Sequence, residues 1–176
     1  TNNIYSLWLA RGHVSDDVLL LESDLVFDPA LLVDLLRTPG ENVAVVDHFQ
    51  PFMNGTVILA NGDRARAMVL KRDQQPGFDL SVALKTVNIY KFSYATVSDL
   101  LMPALEEYVM QGQTDDYYEM VIANAVADGS MELDVLRMGS RVWAEIDTVE
   151  ELADAERSGY WSGLRAQASV RVREAA

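Results

Sequence analysis

The run Val18-Leu19-Leu20-Leu21-Glu22-Ser23-Asp24 decides the fold, together with its continuation through Asp28-Pro29, the leucines 31, 32, 35 and 36, Pro39-Gly40 and Val43-Ala44-Val45-Val46. Four consecutive apolar residues without polar alternation predict a strand covered on both faces, as in a parallel sheet. Asp28 is a good helix N-cap and Pro29 suits the first helical position, where its missing N–H costs nothing. Leu31, Leu32, Leu35 and Leu36 fall at the spacing of one buried helical stripe, and Pro39-Gly40 stops the helix. Val43 to Val46 then forms a second buried strand. Strand, helix, strand reads as one right-handed crossover unit, so the fold class is α/β.

Outward from this unit the pattern continues. Ile4, Leu7, Trp8 and Val14 predict a short helix ending near Gly12. Thr56 to Leu59 and Ala67 to Leu70 flank Asn61-Gly62-Asp63, a turn signal that makes them a hairpin. Lys85 to Phe92 alternates as a half-buried strand. Residues 93–111 are helical, in two pieces because of Pro103. Residues 116–127 form another helix, with Tyr117, Val121 and Ala125 on one face. Leu133 to Leu136 and Arg141 to Ile146 are strands joined at Gly139-Ser140, and Trp8 and Trp143 are read as core. Thr148 and Glu151 form a capping box that opens a last helix. The expected organisation is one domain over residues 1–158 and a weakly patterned tail or linker over 159–176.

Composition narrows the function. The chain has 176 residues, 27 of them acidic and 14 basic, for a net charge of −13. Nucleic acid and an anionic membrane surface are disfavoured partners, because both need clustered Lys and Arg. An apolar share of 49% and a charged share of 23% fit a folded chain. With no cysteine, thiolate catalysis is excluded, and with only His13 and His48 a multi-histidine metal site or a Ser-His-Asp triad is thinly supplied. The longest apolar stretches are too short to span a bilayer, and no apolar leader is evident, so a cytoplasmic protein is expected.

In open α/β sheets ligands lie beyond the carboxyl ends of the strands. Glu22-Ser23-Asp24 and Glu145-Ile146-Asp147 close two strands there. If those strands are parallel neighbours, Asp24 and Asp147 face one crevice, and two carboxylates suit Mg²⁺ with phosphate oxygens and water completing its shell. The same residues also read as a turn aspartate and a helix-capping aspartate. Tyr117 and Tyr118 point about 100° apart on a helix, so one of them lines a surface or cleft, and with Glu119 they suit a cationic substrate group. Lys85 and Asn88 enter a strand near the acidic pair. Lys85 is suited to a phosphate or phosphonate oxygen, or equally to guarding a strand edge. No Gly-rich phosphate loop is found.

Six segments then resemble a known family, in its order, over roughly residues 1–156: Asn2 to Leu7, Leu20 to Asp24, Met53 to Thr56, Lys85 to Tyr90, Tyr117 to Glu119 and Trp143 to Thr148. They resemble nucleotidyltransferases of the phosphocholine and phosphonate cytidylyltransferase type. The resemblance implies a Rossmann-like, mostly parallel sheet with flanking helices and a β-hairpin insertion, the nucleotide-diphospho-sugar transferase-like fold. It implies CTP and Mg²⁺, with CMP passed to a phosphate or phosphonate acceptor (phosphocholine, 2-aminoethylphosphonate or a hydroxyalkylphosphonate) and pyrophosphate released. Asp24 and Asp147 match the metal-binding aspartates, and Lys85 stands where it would stabilise phosphoryl oxygens. Asn88, Tyr117, Tyr118 and Glu119 fall on the substrate side, and Asn54 stands where Asp is often found. The family's opening strand and Gly-rich loop have no counterpart, so the expected chain is the carboxy-terminal major part of such a domain, with weak activity alone. A homo-oligomer and fusion to a second enzyme domain are both compatible. Two other functions fit the same residues: a non-catalytic acidic interaction module, and a sugar-1-phosphate nucleotidyltransferase.

Overall fold

The computed structural model describes residues 2–157. Helix α1 (Asn3–Leu9) is capped by the Asn2 side chain and runs into a 3₁₀ turn at Ala10–His13. Strand β1 (Val18–Leu21) leads through β2 (Leu25–Phe27) to α2 (Ala30–Arg37) and β3 (Val43–His48). The hairpin is β4 (Val57–Asn61) and β5 (Arg64–Val69), turning at Gly62 with φ near +60°. Strand β6 (Leu84–Phe92) comes next, and then a helical stretch. It begins as α3 (Tyr94–Thr96), passes through a π-helical segment at Val97–Leu101 and continues as α4 (Met102–Met110). Helix α5 (Glu119–Ala127), β7 (Asp134–Arg137), β8 (Trp143–Glu145) and α6 (Val149–Arg157) complete the described residues.

Six strands form one sheet in the order β1-β6-β3-β7-β5-β4, with β4 also pairing β6. Strands β1, β3, β4 and β7 run one way, while β5 and β6 run against them. The crossover unit is present, but β6 lies between β1 and β3 and is antiparallel to both. β6 is therefore central, and eight of its nine residues are buried, not the half expected from its alternation. Each face of the sheet carries a core. On one side α1, α4 and α5 pack with Ala44, Val46, Tyr90 and Phe92. On the other, Leu31 and Leu35 of α2 pack with Val43, Val45, Val87 and Ile89.

Several local expectations are corrected. Leu36 is 62% exposed, because α2 meets the sheet through Leu31 and Leu35, with Leu32 partly buried beside them. The break in the helix around Pro103 takes the form of the π-helical turn before it, with Pro103 in the first turn of α4. β7 and β8 do not form a hairpin: β8 leaves the main sheet and pairs with β2 alone. Trp8 and Trp143 are half-buried, Trp8 stacked on Tyr5 and covered by the Arg11 guanidinium. The Thr148–Glu151 capping box forms as expected, with the Glu151 N–H donating to Thr148 Oγ1 at 3.1 Å and the Thr148 N–H donating to Glu151 Oε2 at 2.9 Å. The tail expected over 159–176 lies outside the described residues.

Candidate active site

The site is built where β6 changes neighbours. One edge of β6 pairs with β4 at Leu84 and Lys85 and with β1 from Ile89 to Phe92. Between them the edge is handed over: the Thr86 N–H donates to the Thr56 carbonyl at 3.2 Å, and the Glu22 N–H donates to the Asn88 carbonyl at 3.3 Å. On the opposite edge, two steps along β3 (Ala44 to Val46) match four along β6 (Tyr90 to Thr86). Asn88 sits in this bulge with φ +58°, the one non-glycine residue with positive φ among the described residues. Asn tolerates that conformation better than most side chains, and such residues gather at functional sites.

A cleft of about 980 Å³ opens over this point. Its wall includes Glu22, Asp24, Glu119, Glu145 and Asp147 against Lys71, Arg72 and Lys85, with Asn54, Asn88, Tyr117 and Tyr118. All seven residues singled out in the sequence therefore share one cavity. The route by which Asp24 and Asp147 meet is not the expected one, since their strands are antiparallel. Asp24 precedes β2, Asp147 lies just past β8, and the Ile146 N–H donates to the Asp24 carbonyl at 2.9 Å, so the antiparallel pairing brings both to the same end.

Lys85 is 2% exposed. Its ammonium donates to the Thr86 carbonyl at 2.8 Å and lies 3.7 Å from Glu145 Oε2. It is a central-strand lysine facing a carboxylate, not an edge guard. The two tyrosines divide their roles: Tyr118 is 3% exposed and Tyr117 47%, so Tyr117 is the one at the surface of the cleft. Tyr118 precedes α5, packs edge-on against Tyr90 and donates its hydroxyl to Glu22 Oε1 at 3.1 Å. Burial pushes that hydroxyl well above the ordinary tyrosine range, which keeps it a donor.

Glu22 is the residue that sequence reasoning undervalues. It accepts from Asn3 Nδ2 at 3.1 Å and from Asn88 Nδ2 at 3.0 Å besides Tyr118. The available signal is the repeated Glu-x-Asp of residues 22–24 and 145–147, in which the aspartates alone draw attention as metal ligands. Glu119, at the start of α5, is 5% exposed; Thr56 Oγ1 donates to its Oε1 at 3.4 Å, while its Oε2 is buried with no hydrogen bond. Burial, the largest cause in each case, raises the carboxyls of Glu22, Glu119 and Glu145; Glu119 further raises Glu22, and Lys85 opposes the rise at Glu119 and Glu145. Chemically, the cleft presents hard oxygen donors, one buried ammonium and an excess of negative charge.

No family model matches the chain. It is 33% identical over 148 residues to CMP-5'-(3-aminopropyl)phosphonate synthase of Streptomyces rubellomurinus, a match covering 84% of this chain and 24% of that protein. The chain thus spans about a quarter of the length of that relative. In fold it is similar to the inositol-1-phosphate CTP transferase of T. maritima (TM-score 0.64, 20% identity, 93% of this chain and 62% of that one). It is likewise similar to the CTP:phosphocholine cytidylyltransferase of Streptococcus pneumoniae (TM-score 0.66, 14% identity, 89% and 63%). The resemblance read from the six segments stands: in sequence and in fold, the chain is similar to nucleotidyltransferases of the cytidylyltransferase type.

Proposed function

We propose that the chain carries the acceptor and metal side of a Mg²⁺-dependent cytidylyltransferase, which passes CMP from CTP to a phosphonate or phosphate and releases pyrophosphate. The observation that carries this reading is the meeting of two Glu-x-Asp arms beside a buried lysine in one cleft. A hard divalent cation fits the donors. Asp24 Oδ1 is buried with no hydrogen-bond partner, and Asp147 lines the same cleft. Two carboxylates are a usual protein share for Mg²⁺, whose other positions go to phosphates and water. When bound, the ion supplies charge neutralisation at the α-phosphate.

The remaining steps belong to the chain. Lys85 has one bond to a backbone carbonyl and a loose contact with Glu145, which leaves donor capacity for a phosphoryl oxygen. Fixed donors of this kind stabilise charge as it spreads over the phosphoryl oxygens in the transition state. No protein nucleophile is needed, in keeping with a chain without cysteine. Tyr117 and Glu119 are assigned to the acceptor's far end, and the Tyr118 hydroxyl holds Glu22 in place. The carboxylate excess favours an aminoalkylphosphonate over a hydroxyalkylphosphonate, and the 33% identical relative is named for an aminoalkylphosphonate. The cytosine base and phosphocholine as acceptor are supported by resemblance alone.

Calorimetric titration of CTP with Mg²⁺ into the chain, with pyrophosphate release on adding 3-aminopropylphosphonate, tests the proposal. Asp24→Asn and Asp147→Asn are each expected to abolish Mg²⁺-dependent binding and leave the far-ultraviolet circular dichroism unchanged. Equal CTP binding by the parent chain and the variants, or no binding even by a form extended at its amino end, would favour the non-catalytic acidic module instead.

A further inference from the structure

The sequence places Asn88 on the substrate side, but its side chain is already committed. It is 6% exposed; its amide nitrogen donates to Glu22 Oε2 at 3.0 Å and to Glu145 Oε1 at 3.2 Å. Its side-chain carbonyl accepts from the Thr86 hydroxyl at 2.8 Å. The orientation is forced, because an ionised carboxylate accepts only, so the NH₂ must face the two glutamates and the oxygen must face the threonine. A left-handed backbone inside a bulge presents the group at this spot, one residue from where β1 hands over the edge of β6.

The two glutamates begin the two Glu-x-Asp arms. Each aspartate lies only two residues beyond its glutamate, across the turn at Ser23-Asp24 in the first arm and just past the end of β8 in the second, so displacing a glutamate displaces its aspartate. The arms are joined once more, by the Leu25–Glu145 register of β2 and β8 and the Ile146 N–H on the Asp24 carbonyl at 2.9 Å. We infer that Asn88 is a positioning residue: its amide staples Glu22 to Glu145 and thereby sets the gap between Asp24 and Asp147 that a divalent cation must span. Without the amide the two carboxyl groups lose the one donor they share, and this tie between the arms is gone. Lys85 and Asp47 flank the same region, Lys85 beside Glu145 and Asp47 accepting from the Trp143 indole N–H at 2.8 Å. Neither of these bonds reaches Glu22. The inference rests on the Mg²⁺ reading above and adds to it a residue that touches neither the ion nor the substrate.

Ion-size selectivity is the readout that a merely structural role would not move, since a wider gap favours the larger cation. Mn²⁺ binding to the chain in the presence of CTP is measured by electron paramagnetic resonance, with Mg²⁺ and Ca²⁺ as competitors. Asn88→Gly keeps the positive φ and removes only the amide. It is expected to weaken Mn²⁺ binding about ten-fold or more, the usual cost of losing a group that orients ligands, and to shift competition from Mg²⁺ towards Ca²⁺. Thr86→Val leaves Asn88 in place but unaligned, and is expected to give the same shift, smaller. Should the glycine variant not fold, Thr86→Val carries the test. Unchanged Mn²⁺ affinity, or a loss shared equally by Mg²⁺ and Ca²⁺, would overturn the inference while leaving the Mg²⁺ reading intact. Absence of Mn²⁺ binding with CTP both in the parent chain and in a form extended at its amino end would overturn both.

Discussion

The Glu119 carboxyl is raised from 4.5 chiefly by burial, and one of its oxygens has no hydrogen bond. A carboxyl whose folded value is raised holds its proton more tightly folded than unfolded. Its stabilising contribution is complete below the ordinary carboxyl range and is lost as pH rises through the raised value. Glu22 and Glu145 act in the same direction. Thermal melts between about pH 4 and pH 8 are therefore expected to show these groups lowering the melting temperature as pH increases. Glu119→Gln, neutral and of the same shape, is expected to melt higher than the parent at about pH 7 and to flatten the slope. Melting of the variant below the parent at every pH would contradict this. Acidic chemistry at residues 22–24, 117–119 and 145–147 is legible in the sequence. Which tyrosine of 117 and 118 faces inward is not, because that depends on where α5 begins, and the structure starts it at Glu119 rather than at 116.

At the scale of elements, β6 explains both what is legible and what is missed. Its alternation reads correctly as a strand, but alternation reports faces, not neighbours. The insertion of β6 between β1 and β3 comes from pairings between residues more than forty positions apart in all but its first few rungs, which no local pattern carries. The separate β2–β8 pair escapes for the same reason. Gly55, just before β4, ties the elements to the site. Its φ is +104°, and a Cβ there would stand 3.3 Å from Lys85 Nζ. Gly55→Ala is thus expected to cost about 1 kcal/mol or more from the backbone alone, and also to displace the Lys85 ammonium. Chemical denaturation would give the first effect. A fall in CTP affinity larger than the loss of stability accounts for would give the second, and wild-type affinity would remove Lys85 from the proposed machinery.

For the whole molecule, the charge of −13 sits on a chain whose cleft is itself acidic. Like charges repel across the surface, and salt screens them over about 10 Å at 0.1 M. Raising NaCl from about 0.05 to 0.5 M is expected to raise the melting temperature by several degrees. A fall would mean that the ion pairs Arg64–Glu132, Arg64–Asp134 and Lys85–Glu145 matter more than the net charge. The α/β class and its crossover are visible in residues 18–46 because apolar runs and helix punctuation are local. Among the described residues, no helix is long and apolar enough to cross a membrane.

The β2–β8 pair also sets an order of events. Asp24 lies in the first part of the chain, and its companion arm, Glu145 to Asp147, near the end of the described residues. Synthesis delivers the strands of the six-stranded sheet, β1 and β3 to β7, before Trp143. The cleft therefore acquires its second wall only when β8 closes on β2, and a nascent chain stalled before that point has one Glu-x-Asp arm. Under the proposed function, the place for a divalent ion between two arms is completed only by β8, as a clasp fastened after the sheet's strands are made.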